Sequence, residues 1–452
     1  MSARLRAYLR SVDGVIHTTL NPYQANAIRL HLIPPAKKRP GVPWALILNG
    51  QDILPLNTSW AILLAELIRA ANRRAGKPID APEMDRVVAE TLGEVRRIFP
   101  RVNEKLLRTD LSSILGTILE IGRGKSPDVD TGYMTLAKYA PNMRAPHRMD
   151  LIVSAMRKGG CWNCNQKCLN CYAADQPLGE TPELGTEDWK RVIDRCRDAW
   201  ISQLTFTGGE PTLRGDLVDL VAHASWFVTR LNTNGVLLTR DLCDQLMEAS
   251  LDSVQITLYS AHPEVHNALV GANQFHNTVA GIRNAVAAGL NVSVNTPLCV
   301  DNCDYVATLQ FARELGVRYF SCSGLIPAGA ATRPDSSSTR LDHDRLLALL
   351  HTAVRWCAEN GAQLSFTSPG WLRDAELRAL QLNVPACGAC LSNMAVAPDG
   401  SVVPCQSWLS DAPLGNMLRD RWDDIWKGSA CAAIRERAAD SAACLLGEEV
   451  RR

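Results

Sequence analysis

From Leu151 to Thr367 the chain repeats one pattern, a short apolar run followed by a helical period. The runs are Leu151–Ser154, Gln203–Thr207, Phe227–Thr233, Ser253–Leu258, Asn291–Thr296, Tyr319–Cys322 and Gln363–Thr367. Helical periods fall between them at Glu187–Ala199, Leu217–Ala224, Asp241–Ala249, Thr278–Ala288 and Tyr305–Leu315. Strands that alternate with helices predict an α/β architecture, a parallel sheet or barrel with right-handed crossovers. Ligand chemistry in such folds collects at the carboxyl ends of the strands.

The rest of the chain is patterned differently. Trp44–Asn49 and Ile53–Leu56 read as strands joined at Asn49-Gly50, a hairpin signal. Asn57-Thr58-Ser59 offers caps for a helix over Trp60–Ala71, and helical patterns follow at Met84–Ile98 and Leu106–Ile121. Gly122–Asn142, rich in Gly, Pro, Asp and Lys, reads as a linker. We therefore expect domains at 1–122, 148–370 and 371–452, with residues 123–147 as linker. With 452 residues, 46% hydrophobic and 21% charged, a sizeable core is available. A formal charge of +1 gives no pull toward nucleic acid. Met1–Val12 is basic but lacks a signal peptide's apolar core, and no run of eighteen apolar residues suggests a membrane span, so a cytoplasmic protein is expected.

Fifteen cysteines in such a chain point to metal binding or catalysis rather than disulfides. None precedes Cys161, four fall within Cys161–Cys171, and three within Cys387–Cys405. Cys164, Cys168 and Cys171 are spaced so that one short loop can wrap a corner of an iron-sulfur cube. Such clusters usually take four thiolates, so three leave an iron open for another ligand. The alternative is a structural zinc knuckle of Cys161, Cys164, Cys168 and Cys171.

The segment Cys164-Asn165-Gln166-Lys167-Cys168-Leu169-Asn170-Cys171-Tyr172 resembles the CxxxCxxC signature of the radical S-adenosylmethionine (SAM) superfamily, including the aromatic residue after the last cysteine. The resemblance implies a partial (β/α)6 TIM-like barrel. It also implies a [4Fe-4S] cluster whose open iron binds SAM, which a one-electron donor such as flavodoxin or ferredoxin reduces, giving a 5'-deoxyadenosyl radical. Thr207-Gly208-Gly209-Glu210-Pro211 is similar to the family's GGE motif, implying that Gly208, Gly209 and Glu210 receive the SAM ammonium. By the same resemblance Tyr172, Asn232, Thr257, Ser260 and Leu325 are expected around the cofactor. Many relatives carry an arginine shortly after the counterpart of His266, whereas Ala268-Leu269-Val270 is apolar, so the partner of the SAM carboxylate is left open. His266 itself is expected to cap or pack.

Cys387-Gly388-Ala389-Cys390, followed by a turn at Asp399-Gly400 and then Cys405, resembles the start of the SPASM extension of peptide-modifying radical SAM enzymes. The resemblance implies an auxiliary [4Fe-4S] cluster in a small C-terminal iron-sulfur extension. The later cysteine group for a second auxiliary cluster is missing, which suggests a shortened, twitch-like version with Cys444, rather than Cys431, as fourth ligand. A zinc site of three or four cysteines is the bland alternative, and a three-cysteine cluster open to substrate another. Cys196, Cys243 and Cys357 fall on helical patterns and read as buried hydrophobes. Cys299, Cys303 and Cys322 lie near strand ends, where a thiol could give a hydrogen atom to a substrate radical, although a structural role is the simpler reading.

The amino-terminal pattern resembles the PqqD-like domain, winged-helix-like and α+β, which implies a precursor peptide bound by edge-strand pairing. A helical cap is the alternative there. The partner is thus expected to be a precursor peptide, crosslinked, oxidised or epimerised, or else a small molecule in natural-product or cofactor biosynthesis.

Overall fold

The inner faces of the central strands are polar. In Ser253–Thr257 the apolar Val254 and Ile256 are buried while Gln255 and Thr257 on the opposite face are half-buried, and Asn291–Pro297 repeats the alternation. A closed barrel filled by side chains would place branched apolar residues inside. Here the apolar residues face the helices and the polar ones face a cavity.

The computed structural model describes residues 2–20, 28–38, 42–49, 52–74, 80–122 and 140–449, in two units: Met1–Ala145 with Asp198–Ser202, and the remainder. The linker expected at 123–147 lies mostly outside the described residues.

In the first unit Ile16–Leu20 (β1), Ile28–Ile33 (β2), Trp44–Leu48 (β3) and Asp52–Leu56 (β4) form an antiparallel sheet in that order. β3 and β4 pair from Leu48↔Asp52 outward, while Gly50 of the expected hairpin turn lies outside the described residues. Helices Thr58–Asn72 and Ala81–Ile98 start where Asn57 and Asp80 accept hydrogen bonds from Trp60 N and Glu83 N. With Glu104–Gly122 they bury Ile62, Leu92, Leu111 and Ile114 against Trp44, Leu46 and Leu48. The unit is α+β, but it has two more strands and one more helix, Ala3–Ser11, than the sequence pattern indicated. β1, Ile-His-Thr-Thr-Leu, has no buried residue and so no alternation to read.

In the second unit seven parallel strands are Arg148–Ser154 (β5), Gln203–Gly208 (β8), Val228–Thr233 (β9), Ser253–Thr257 (β10), Asn291–Pro297 (β11), Tyr319–Ser323 (β12) and Gln363–Phe366 (β13). A short ribbon, Arg157–Lys158 (β6) with Cys161–Trp162 (β7), follows β5. Helices Thr186–Asp198, Leu217–His223, Arg240–Glu248, Phe275–Ala287, Tyr305–Glu314 and His343–Glu359 make the crossovers. The barrel is open, and its β5 edge is covered by Asn393–Val396 (β14), which pairs in parallel from Asn393↔Arg148 to Val396↔Leu151. Ser401–Val403 (β15) and Gly415–Asn416 (β16) extend the sheet. The cysteine-bearing C-terminal segment thereby continues the barrel sheet through main-chain hydrogen bonds. Among the described residues no helix is long and apolar enough to cross a membrane.

Candidate active site

Between β5 and helix Thr186–Asp198 the chain makes the cysteine loop, and backbone hydrogen bonds fix its path. Lys167 N and Leu169 N donate to Val270 O and Leu269 O, both at 2.9 Å, and Ala330 N donates to Cys171 O at 2.9 Å. The apolar Ala268-Leu269-Val270 stretch therefore serves the loop through its carbonyls. Gly271, which ends helix Pro263–Val270 at φ +62, lies so close that a Cβ would meet Lys167 O at 2.5 Å. Asn163 anchors the loop's start by donating from Nδ2 to Ala155 O at 3.0 Å.

Cys164, Cys168 and Cys171 line one cavity of about 350 Å³, together with Tyr172, Gly208, Gly209, Glu210, Asn232, Thr257 and Leu325. Burial pushes the Cys164 thiol up to about 12 and raises Cys168 and Cys171 as well. Among the described residues Glu210 is the only Asp, Glu, Lys, Arg or His on the lining, so none of them supplies a cation to compensate three thiolates. A bound metal centre supplies that compensation, and thiolate is the ligand that iron-sulfur clusters take. The donor set fits such a cluster. Among the described residues no three Cys, His, Asp or Glu side chains gather around a single ion. Cys161, the fourth ligand of the zinc alternative, is exposed on the ribbon.

At the end of β8, Gly208 has φ +146 and a Cβ there would sit 2.3 Å from Ser154 O. Only glycine lets the two strand ends come this close. Gly209 O accepts from the Cys164 thiol at 3.4 Å, which ties the motif to the loop. The Glu210 carboxylate is buried, with Oε1 accepting from Thr212 N (3.0 Å), Thr212 Oγ1 (2.6 Å) and Thr233 Oγ1 (2.6 Å), and Oε2 from Asn234 N (2.8 Å). Burial raises its carboxyl above the ordinary value, and the bonds from Asn234, Thr212 and Thr233 oppose that rise. Asn234 Nδ2 also donates to Asn165 Oδ1 at 2.6 Å, linking the end of β9 to the cysteine loop.

The floor is a neutral polar ladder in which Gln255 Nε2 donates to Ser321 Oγ at 3.1 Å and Ser321 Oγ to Asn295 Oδ1 at 2.9 Å. Asn232 Oδ1, Gln406 Oε1, Gln166 Nε2 and Asn170 Nδ2 are buried atoms without a hydrogen-bond partner, on residues that line the cavity. A ligand carrying both donors and acceptors would satisfy them. SAM, with its ammonium, carboxylate, ribose and adenine, fits that description. Ser260 is not on the cavity wall; its Oγ accepts from His262 N at 3.0 Å and caps the turn into helix Pro263–Val270. His266 is buried and packs edge-on against Tyr259 and Phe275, accepting from Tyr259 N at 3.3 Å, and burial lowers it to about 4. The sequence reading missed Trp162, Gln166, Gln255, Asn295, Trp371 and Gln406 as cavity walls. The polar members of β10 and β11 were detectable, because Gln255, Thr257 and Asn295 break an apolar run at every second position.

A second group of thiols stands on the same cavity. The turn at Asp399-Gly400, with Ala397 N bonded to Ser401 O at 2.7 Å and Gly400 at φ +87, folds β15 back on β14. Cys390 N then donates to Pro404 O at 3.0 Å, next to Cys405. Cys405 and Cys444 line the cavity, whereas Cys387 and Cys390 do not and are buried. The Cys387 and Cys444 thiols are hydrogen-bonded, which together with burial raises Cys444, and burial pushes Cys405 up to about 12. Cys431 pairs with Cys390 instead, and Arg435 Nη1 lies 3.5 Å from its sulfur. Cys196, Cys243 and Cys357 are buried on helices. Cys299, Cys303 and Cys322 are off the cavity lining.

Two family models match this chain: the radical SAM superfamily over residues 163–312, and SPASM, an iron-sulfur cluster-binding domain, over residues 387–445. It is similar to the PqqA peptide cyclase of Streptomyces rochei, 26% identical over 306 residues, covering 62% of this chain and 81% of that protein. It is also similar to the AdoMet-dependent heme synthase of Methanosarcina barkeri, 27% identical over 59% of this chain and 80% of that protein. Among solved structures, Streptococcus suis SuiB bound to its precursor peptide SuiA superposes with a TM-score of 0.60 at 14% identity, covering 93% of this chain and 90% of that one. These matches, on a site built of three loop thiols and a Gly-Gly-Glu strand end, identify a radical SAM domain over residues 163–312 and make the protein a radical SAM enzyme. The chain also carries a SPASM domain over residues 387–445, and the two domains imply a [4Fe-4S] cluster that works with SAM and auxiliary iron-sulfur chemistry in the C-terminal segment.

Proposed function

We propose that this enzyme uses SAM to remove hydrogen from a ribosomally made precursor peptide, and that the resulting radical is closed by oxidation or crosslinking. Cys164, Cys168 and Cys171 would hold the SAM-binding cluster, and Cys387, Cys390, Cys405 and Cys444 the auxiliary one. When bound, the first cluster supplies the electron that splits SAM to methionine and the 5'-deoxyadenosyl radical. The protein's own part is to orient and enclose. Oε2 of Glu210 accepts one hydrogen bond from the protein, so an acceptor position remains for the SAM ammonium. Asn232, Thr257 and the Gln255 ladder offer neutral donors and acceptors to the carboxylate and ribose, and Leu325 and Tyr172 offer apolar wall to the adenine. The peptide reading draws on the likeness to PqqA peptide cyclases and on a fold likeness to SuiB that covers 93% of the chain.

One observation favours oxidative closure over epimerisation. Every cysteine on the cavity lining belongs to one of the two proposed ligand sets, and Cys299, Cys303 and Cys322 do not reach it. Epimerisation returns a hydrogen atom to carbon from an exchangeable donor such as a spare thiol. A reaction run in D2O should therefore give product with no deuterium at the attacked carbon. A deuterium label there, read by mass spectrometry, would restore the epimerase reading.

The peptide's leader would pair with the first unit. β1 is an edge strand, half-buried at all five residues, whereas the other edge, β4, includes Pro55, which has no N–H to offer. Thr19→Pro, at a β1 position whose N–H faces away from β2, is expected to weaken precursor-peptide binding about tenfold, roughly 1.4 kcal/mol, without altering peptide-independent SAM cleavage. Fluorescence titration with the labelled peptide decides it, and unchanged affinity would count against the edge-strand reading. A small-molecule substrate is the weaker, alternative reading beside the peptide cyclase and SuiB likenesses, although one relative is a heme synthase. Turnover of such a compound without any peptide would select it.

A further inference from the structure

The stretch from Arg157 to Cys171 carries three cations, Arg157, Lys158 and Lys167, and no carboxylate. Its first part is the β6–β7 ribbon, and Lys158, Gly159, Gly160, Cys161 and Lys167 are exposed. Two carboxylates of the following segment approach it. Glu180 meets Arg157 at 3.1 Å, and Glu183 meets Lys158 at 3.5 Å. Glu183 is turned inward, where it accepts from Ala155 N at 3.0 Å and faces Arg214 at 3.6 Å. The Lys158 side chain remains 72% exposed. The surface presented to solvent is therefore cationic.

Trp162 is flanked by Arg157 and Lys167, each 5.9 Å from its ring centroid. Its indole N–H donates to Gln166 O at 2.8 Å, inside the cysteine loop, and its ring packs in one group with Cys164, Cys171 and Tyr172. The ribbon is thus a rigid basic platform braced directly on the loop that carries the thiols. The exposed residues Lys158, Gly159, Gly160, Cys161 and Lys167 are all absent from the cavity lining. A protein seated on them leaves the cavity free for SAM and substrate.

We infer that this ribbon, with Lys158 and Lys167 at its face, is the docking surface for an acidic one-electron carrier protein. Electron transfer decays steeply with distance, so a carrier that serves the loop thiols must seat on the surface nearest to them. Electron-transfer encounters bury little area and depend on opposite charge for their rate. A small basic face beside the redox centre suits that kind of contact. The step is a single electron, from the reduced carrier to the centre held by the loop, with no bond made in the carrier.

The test is stopped-flow bleaching of the reconstituted full-length enzyme by reduced flavodoxin, with titanium(III) citrate as the small-molecule control. Arg157→Gln/Lys158→Glu, on the ribbon and outside the cysteine loop, should be reduced by flavodoxin at least about tenfold more slowly at low salt. The wild-type rate should fall as salt rises while the variant's stays flat. Iron content, reduction by titanium(III) citrate, and the 5'-deoxyadenosine formed with that reductant should be unchanged. A variant that flavodoxin reduces at the wild-type rate at low salt overturns the inference. So does one that loses affinity for precursor peptide while flavodoxin still reduces it normally, because the ribbon would then be a peptide contact. Should that double variant lose iron, Lys158→Gln alone carries the test, with a weakened salt dependence expected and an unweakened one decisive against.

Discussion

Cys168→Ala is expected to abolish 5'-deoxyadenosine formation and to leave the reconstituted chain with about four irons instead of about eight, four for each cube. Cys168 is the middle thiol of the loop, and burial raises it well above an ordinary thiol. A site that desolvates three thiols without a cation on its wall has little tolerance for losing one of its ligands. Cys171 is held through its neighbours, with its N–H on Cys168 O and its carbonyl on Ala330 N, so the alanine variant keeps the loop's backbone bonds. Folding should therefore survive while the cluster does not. The matching change in the auxiliary group, Cys444→Ala, should spare SAM cleavage. Iron analysis and electron paramagnetic resonance separate the two. An alanine at 168 that retained both the irons and the cleavage would remove the basis for every role given to the loop.

The parts of this enzyme legible in its sequence are those where chemistry is tied to local spacing. The triplet Cys164, Cys168 and Cys171 sits on one short loop whatever the tertiary fold, and Asp399-Gly400 turns the chain where it stands. The barrel strands were legible because apolar residues recur at every second position beside helical periods. What escaped reading is made by backbone or by distant pairing. Leu269 and Val270 position the loop through carbonyl oxygens, a property any residue could supply, so their side chains gave no signal. β14 joins β5 across more than two hundred residues of intervening chain, and four residues of strand leave little periodicity to detect. Ser260 and Thr257 sit three residues apart in one motif, yet Thr257 ends a strand on the cavity whereas Ser260 lies in the turn beyond it. The first unit's β1 was missed because Ile-His-Thr-Thr-Leu has polar residues on both faces, which is what an edge strand with half-buried residues permits, whereas β2, Ile-Arg-Leu-His-Leu-Ile, alternates cleanly and was legible but not read.

Glu210→Gln should separate the stability of the site from its ability to bind SAM. Two effects of the substitution on the fold oppose each other. Removing the charge relieves the burial cost that raises this carboxyl, but the amide's hydrogens must then face at least one donor that the carboxylate accepted from, most simply Asn234 N–H at Oε2. Leaving a buried donor unmatched costs about 1–3 kcal/mol, comparable with what the lost charge returns, so the ligand-free chain should unfold at nearly the wild-type temperature. Glu210→Ala lacks the compensation, since Thr212 N, Thr233 Oγ1 and Asn234 N all lose their acceptor, and it should be clearly destabilised. Binding responds differently. The lone pair left on Oε2 suits an ammonium only while the group is ionised, and a hydrogen bond to a charged partner contributes about 1.5–3 kcal/mol. SAM affinity of Glu210→Gln should accordingly fall about ten- to hundredfold. The sign of the pH dependence follows from the raised carboxyl: as pH falls toward that raised value the wild type protonates and loses SAM affinity, whereas the glutamine variant, having nothing to protonate there, stays flat. Equilibrium binding of SAM to the reconstituted enzyme across mildly acidic pH measures both, and a glutamine variant that bound SAM like the wild type would take Glu210 out of cofactor recognition.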